Sequence, residues 1–385
     1  MQAYNKSELE NYFLAEEAKK LYQKKFLSKE QLQNINAQLI QLKSNHNIFF
    51  RIGFFFLGSF LISTIISAFG LVLFPLISED FEFVFFFYAI VAYVGLEVLV
   101  NMKFFRHGLD DAFVLTSQIS FSIGIGILTE AVLPVLIAML VLGVFFAIRF
   151  INTISAVMAF IGLVGILFNS IVEHDFMPKF YLSFIGLILA ILVYFFVSHL
   201  SINQKLYPYF KTLDTIRISS LLLGYLSMNY LVVRELSASL MNLTITNKSD
   251  VPLAIVFYVL TFLIPLLYFF LGIKRKDKLV LYTGLATLIF GFYSIRHYYY
   301  FFPIEYVMVI SGILLFGLAY LIIQQLKDKT ESVTFRPDRD SDDSLLFNTQ
   351  AILSLANATT SEETQSNPME FGGGGFSGGG AGEQF

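Results

Sequence analysis

Runs of about twenty apolar residues, almost free of charge, recur along this chain from residue 48 to residue 325, and a run of that length is what a helix needs to cross a bilayer. At a rise of about 1.5 Å per residue, each run covers the roughly 30 Å hydrocarbon layer. The composition agrees: 56% of the 385 residues are apolar and 14% charged, where a soluble domain has about 45–50% and about 25%. The fold class expected is all-α, a polytopic transmembrane helix bundle of about ten spans, with the lipid bilayer as its surroundings. The spans fall near 50–76, 83–102, 109–128, 131–149, 152–172, 180–200, 216–237, 252–273, 279–295 and 303–325. Pro265 lies inside the eighth, where a missing amide favours a kink.

The chain divides by composition into a polar segment 1–46, the bundle 47–326 and a tail 327–385. The first segment reads as a helical hairpin. Ser7 with Glu10 and Ser28 with Gln31 fit capping boxes, and Leu32, Ile35, Leu39 and Leu42 form an apolar stripe that must bury against something. The tail is rich in Ser, Thr and Asn and ends in a glycine run, so most of it should be disordered. Apolar residues between 345 and 355 have the spacing of one short helix able to dock on the cytoplasmic face.

Orientation follows from the basic residues, which collect in cytoplasmic loops. With both termini inside, only Lys179, Arg234, Lys248 and Arg296 of the 26 Lys and Arg fall outside. The first apolar run is long enough to stay as a span, so no cleaved signal peptide is expected. Abundant Phe, Ile, Asn and Lys without Trp suggest AT-rich coding, and with it a bacterial inner membrane.

The net charge of −3 argues against a nucleic-acid partner, and the absence of Cys removes disulfides and thiolate chemistry. No enzyme signature, metal motif or cofactor motif emerges; Asp338, Asp340 and Asp342 begin like a calcium loop, but Asp343 occupies the turn position that requires Gly. The third span is the most polar, with Asp111, Gln118 and Ser122 on one helical stripe and Asp110 and Ser117 beside it. That stripe is a candidate path for an ion or small solute, or else a surface for close helix packing.

Glu97 lies about 7 Å inside the second span, where an ionisable side chain should face the bundle. With Arg106 and His107 it forms a candidate cytoplasmic mouth leading to Asp110 and Asp111, and its depth predicts more harm from Glu97→Ala than from Asp110→Ala. On the outer side, Arg234, Glu235, Arg296 and His297 are candidate lips of a vestibule, although the neighbouring tyrosines fit an interfacial belt better. Asn229 in the seventh span can hydrogen-bond between helices.

The segment LYQKKFLSKEQLQNINAQL, residues 21–39, followed by a bundle of spans, resembles bacterial multi-pass membrane proteins of unknown function. The ending FGGGGFSGGGAGEQF is similar to the glycine-rich tails of bacterial membrane proteins that carry a TPM domain, which this chain lacks. The resemblance covers about 35 residues and implies a bacterial membrane protein without an assigned activity. Two functions fit: translocation of an ion or small solute through the bundle, and a scaffold or sensor that captures a protein partner through its termini.

Overall fold

The computed structural model describes residues 2–39, 42–45, 47–77, 81–174, 177–241, 251–298, 303–327 and 352. Among the described residues the α-helices are α1 (Lys6–Gln23), α2 (Lys29–Gln38), α3 (Ile48–Ile77), α4 (Phe81–Asn101), α5 (Leu109–Thr129), α6 (Val132–Phe150), α7 (Thr153–His174), α8 (Leu182–Leu200), α9 (Phe210–Met228), α10 (Tyr230–Met241), α11 (Ala254–Arg275), α12 (Lys278–Tyr298) and α13 (Ile304–Leu326). The expected all-α fold is present: among the described residues the only β pairing is an isolated bridge between Lys43 and Phe104.

Two compact units divide the chain, residues 1–10 with 42–341 and residues 11–41 with 342–385. In the larger unit, eight helices among the described residues are long and apolar enough to cross a membrane: α3 to α8, α11 and α12. The seventh expected span is not one helix. It breaks between α9 and α10, which pass the same test together but are bent by 68°. The sequence offers neither Pro nor Gly at this point; the break sits on Asn229, whose backbone is extended. α13, 23 residues long, lies at the tenth expected position but is not among the helices that pass this test, so the described residues show eight spans, or nine if the bent pair is one, against the ten expected.

Sequential helices pair as hairpins, α4 with α5, α6 with α7, α8 with α9 and α11 with α12. Small residues permit these contacts, because lipid tails give apolar helices no hydrophobic reason to associate and dispersion then needs close backbones. A Cβ on Gly143 would stand 2.6 Å from the Ala159 nitrogen, and one on Gly272 would stand 2.7 Å from the Leu281 nitrogen. α11 runs on through Pro265, whose carbonyl lies 3.2 Å from where a Gly284 Cβ would be.

The start of the chain is tied to this unit: Ala3 N–H donates to the Arg149 carbonyl at 2.8 Å, the Tyr4 hydroxyl to the Phe104 carbonyl at 3.1 Å, and Lys103 pairs with Glu8 at 2.8 Å. The first helix is capped by Asn5 rather than by Ser7. Asn5 Oδ1 accepts from Ser7 N–H at 3.1 Å, because the helix already begins at Lys6 and places Ser7 within its first turn.

In the smaller unit, the Ser28–Gln31 capping box is formed in both directions. Ile35 and Leu39 of the expected stripe bury with Ala18 and Leu27, and Ile352 completes the cluster. Apart from Ile352, the tail expectations lie outside the described residues.

Candidate functional site

The turn between α4 and α5 explains why two acidic residues open the most polar span. Lys103, Arg106 and Gly108 all have positive φ, and this curls the backbone amides of Arg106, His107 and Gly108 onto one point. Asp110 occupies that point and accepts all three at 2.7, 2.9 and 2.9 Å. Gly108 is obligatory twice over, by its φ of 108° and because a Cβ would stand 2.2 Å from the Arg51 carbonyl oxygen.

Asp111 faces the neighbouring helices. Its Oδ2 accepts from Arg51 Nε at 2.7 Å and pairs with Nη2 at 2.6 Å, while Oδ1 accepts from Asn152 Nδ2 at 2.9 Å. One carboxylate thereby joins α3, α5 and the start of α7. Glu97 is also paired, with Arg149 Nη2 at 2.6 Å and Nε at 2.8 Å.

The residues of the expected mouth do gather at one end of the bundle, and Tyr4 marks the spot: burial first, then the nearby Asp110 and Asp111, raise its hydroxyl well above the usual tyrosine range. His107 packs between Phe54 and Phe104, with ring centroids 4.3 and 4.9 Å away, and burial, aided by Lys43, pushes its pKa down. These contacts fasten the turn to the neighbouring helices. Asp110→Ala strands three amides, while the Glu97–Arg149 pair has both side chains more than a quarter exposed. We expect Asp110→Ala to cost about 2–3 kcal/mol and Glu97→Ala about 1 kcal/mol, read as unfolding temperatures in detergent. The geometry thus reverses, for stability, the ranking that depth alone suggests.

Farther along α5 the polar stripe is buried, and its donors reach neighbouring backbones. Ser117 donates to the Ala89 carbonyl on α4 at 2.9 Å, and Gln118 Nε2 to the Leu142 carbonyl on α6 at 3.3 Å. Two acceptors remain without a partner among the described residues, Gln118 Oε1 and Ser122 Oγ.

A second polar line runs along α9 to α12 and was largely hidden in the sequence. It starts at Arg217, which donates to Asp214 at 3.1 Å and to Asp277, and whose guanidinium lies 5.6 Å from the Tyr194 ring centre. Ser220 and Gly224 follow on the same face of α9 and, with Tyr194, Tyr268 and Arg275, line a cavity of about 190 Å³ between α8, α9, α11 and α12.

Beyond the cavity lies the helix break, where the backbone amides of Tyr230 and Val232 have side-chain partners. Asn229 Nδ2 donates to the Tyr225 hydroxyl at 2.8 Å and to Ser294 Oγ at 3.0 Å. Its Oδ1 accepts from Val232 N–H at 3.3 Å, as an N-cap does for α10. Thr261 Oγ1 accepts the Tyr230 amide at 2.9 Å. Asn229, Tyr230, Thr261 and Ser294 are fully buried.

The line ends where the outer vestibule was expected. Arg234 donates to the Tyr230 hydroxyl at 2.7 Å and lies 4.3 Å from the centre of the Tyr298 ring, while the Tyr298 hydroxyl donates to Glu235. His297 stands edge-on to Tyr298 at 5.1 Å, with Arg296 the preceding residue on α12. Arg234, Glu235 and His297 therefore meet through one tyrosine. Compared with known families, curated proteins and solved structures, the chain matches none. Among the described residues, no group of three or more His, Asp or Glu could hold a metal ion.

Proposed function

We propose that this chain is a multi-pass membrane protein that moves a small polar solute or ion along the line from Arg217 to Glu235, and not along α5. The observation that carries the reading is the break at Asn229. Interrupting a helix inside hydrocarbon exposes amides and carbonyls that cost several kcal/mol each unless satisfied, so such breaks occur where they are buried in protein or line a path. Discontinuous helices of this kind form the substrate sites of many secondary transporters.

The surroundings support the reading. A small cavity adjoins the break, and each end of the line is closed by a charged group held in place, Arg217 with Asp277 at the basic end and Arg234 with Tyr298 at the other. Two closures flanking an uncharged, hydroxyl-rich centre are what alternating access requires. The distribution of Lys and Arg supports a cytoplasmic location for both termini, and composition together with the short resemblances favours a bacterial inner membrane.

The natural absence of Cys makes the test clean. Single Cys residues replace Ser220 in the cavity and Ser294 at the break, and a small membrane-impermeant thiol reagent is applied from each side of sealed membranes. We expect Ser220→Cys to react from the basic side and Ser294→Cys from the opposite side, with rates that change when ions or solutes are added. Thiols that stay unreactive from both sides in a folded protein would leave a dry bundle.

A scaffold or sensor role remains a second reading, favoured by one observation. Ile352 is fully buried against Ala18, Leu27, Ile35 and Leu39, so residues near the two termini pack together in the smaller unit.

A further inference from the structure

Beside the polar line, and separate from it, α6, α7, α8 and α9 enclose a cavity of about 640 Å³ of a different character. Its volume lies within the roughly 300–1,000 Å³ typical of ligand sites. Its wall is almost wholly carbon, from residues such as Phe160, Val197 and Leu213. A polar solute would lose its hydration there without replacement, and a water molecule would lack the two to four partners it needs.

Two features show what the cavity can take. Its rim residues Val144, Ile148 and Phe196 are 43%, 51% and 65% exposed on spanning helices, so the opening faces the acyl layer sideways. The wall also contains a hydroxyl with unused capacity: Thr212 is 4% exposed, and its Oγ1 has no hydrogen-bond partner among the described residues. The other polar group, the Tyr209 hydroxyl, is engaged, donating to the Ile148 carbonyl at 2.8 Å and accepting from Gln2 at 3.0 Å.

The cavity ends at the basic face. Leu200, Leu206 and Tyr209 close it there, and Lys205 and Lys211, both exposed, flank that stretch in sequence. We infer that the cavity binds one acyl chain of an anionic phospholipid from the basic-side leaflet. The chain fills the apolar wall, an ester carbonyl of the lipid accepts from Thr212 Oγ1, and the headgroup lies by Lys205 and Lys211. Such a site ties the hairpin α6–α7 to α8–α9 through a molecule of the membrane itself.

The test is native mass spectrometry of the full chain in mild detergent, incubated with phosphatidylglycerol or with phosphatidylcholine of the same chains. We expect one phosphatidylglycerol per chain to be retained at least about fivefold better than phosphatidylcholine. Filling the cavity with Val144→Trp and Ile216→Trp should lower that retention by about fivefold or more, and Thr212→Val should lower it by about twofold. Lys205→Ala with Lys211→Ala should abolish the preference for the anionic lipid while a lipid is still retained. Equal retention of both lipids by the wild type, or full retention by the filled variant, would overturn the assignment. An unchanged unfolding temperature certifies the filled variant; if the pair fails to fold, Val144→Trp alone, at the exposed rim, replaces it.

Discussion

Asn229→Leu is expected to destabilise the protein by about 2–4 kcal/mol and to remove the side-specific thiol labelling at Ser294→Cys. The replacement matches Asn in size but has no polar atom. It removes the N-cap of α10 at Val232, worth about 1 kcal/mol. It also leaves the Tyr225 hydroxyl buried without the donor it now accepts, at about 1–3 kcal/mol. Ser294 suffers less, since it keeps its bond to the Phe290 carbonyl. Membrane hydrogen bonds measured by double-mutant cycles average only about 0.6 kcal/mol, which draws the expected cost towards the lower end of the range. Unfolding followed by temperature in detergent gives the stability change, and labelling in sealed membranes gives the effect on access. A Leu variant with wild-type stability and wild-type labelling would separate the break from any function.

Asp111→Ala should be the most damaging single change at the basic end, costing about 3 kcal/mol or more. The carboxylate is held by two Arg51 nitrogens and by Asn152, so its loss strands a guanidinium and an amide between helices. Removing one partner of a buried pair generally costs about 3–5 kcal/mol, whereas replacing both by apolar groups is often neutral. The cycle is therefore informative: Asp111→Leu with Arg51→Leu should recover most of the loss in unfolding temperature. Additive damage in the double variant would show that each residue acts through contacts other than the other.

These expectations separate the two polar regions by role. At the basic end, Asp111 pairs with Arg51, Glu97 pairs with Arg149 and Asp110 accepts three backbone amides of the turn before α5, while the Tyr4 hydroxyl donates to the Phe104 carbonyl in the same turn. Along α9 to α12 the central groups are uncharged and the charges stand at the two ends. On the proposed route a solute would meet less electrostatic commitment, because amides and hydroxyls can exchange partners without stranding a charge.

The candidate site was legible in part. Glu97, Asp110 and Asp111 were found because an ionisable residue in an apolar run is conspicuous. Their partners Arg51 and Arg149 served in the sequence only as orientation markers, since pairing across 60 and 52 residues has no local signature. Asn229 predicts a hydrogen bond between helices and makes one to Ser294, yet a break without Pro or Gly leaves no mark in the sequence. Thr212 was invisible, because one hydroxyl among apolar neighbours says nothing until its surroundings are known.

By itself, the sequence determined the helical class and the approximate positions of the eight helices long and apolar enough to span a membrane among the described residues. Those properties depend on the length and polarity of single segments, and hydrocarbon tolerates few backbone arrangements. It also located the Ser28 capping box, whose geometry is local. Only the tertiary structure decided which polar residues are consumed in pairs, where a span is interrupted and where the bundle leaves a cavity. Each of these depends on groups from three or four helices meeting at a few ångströms, and helix packing in lipid is governed by such close contacts rather than by any pattern along one helix.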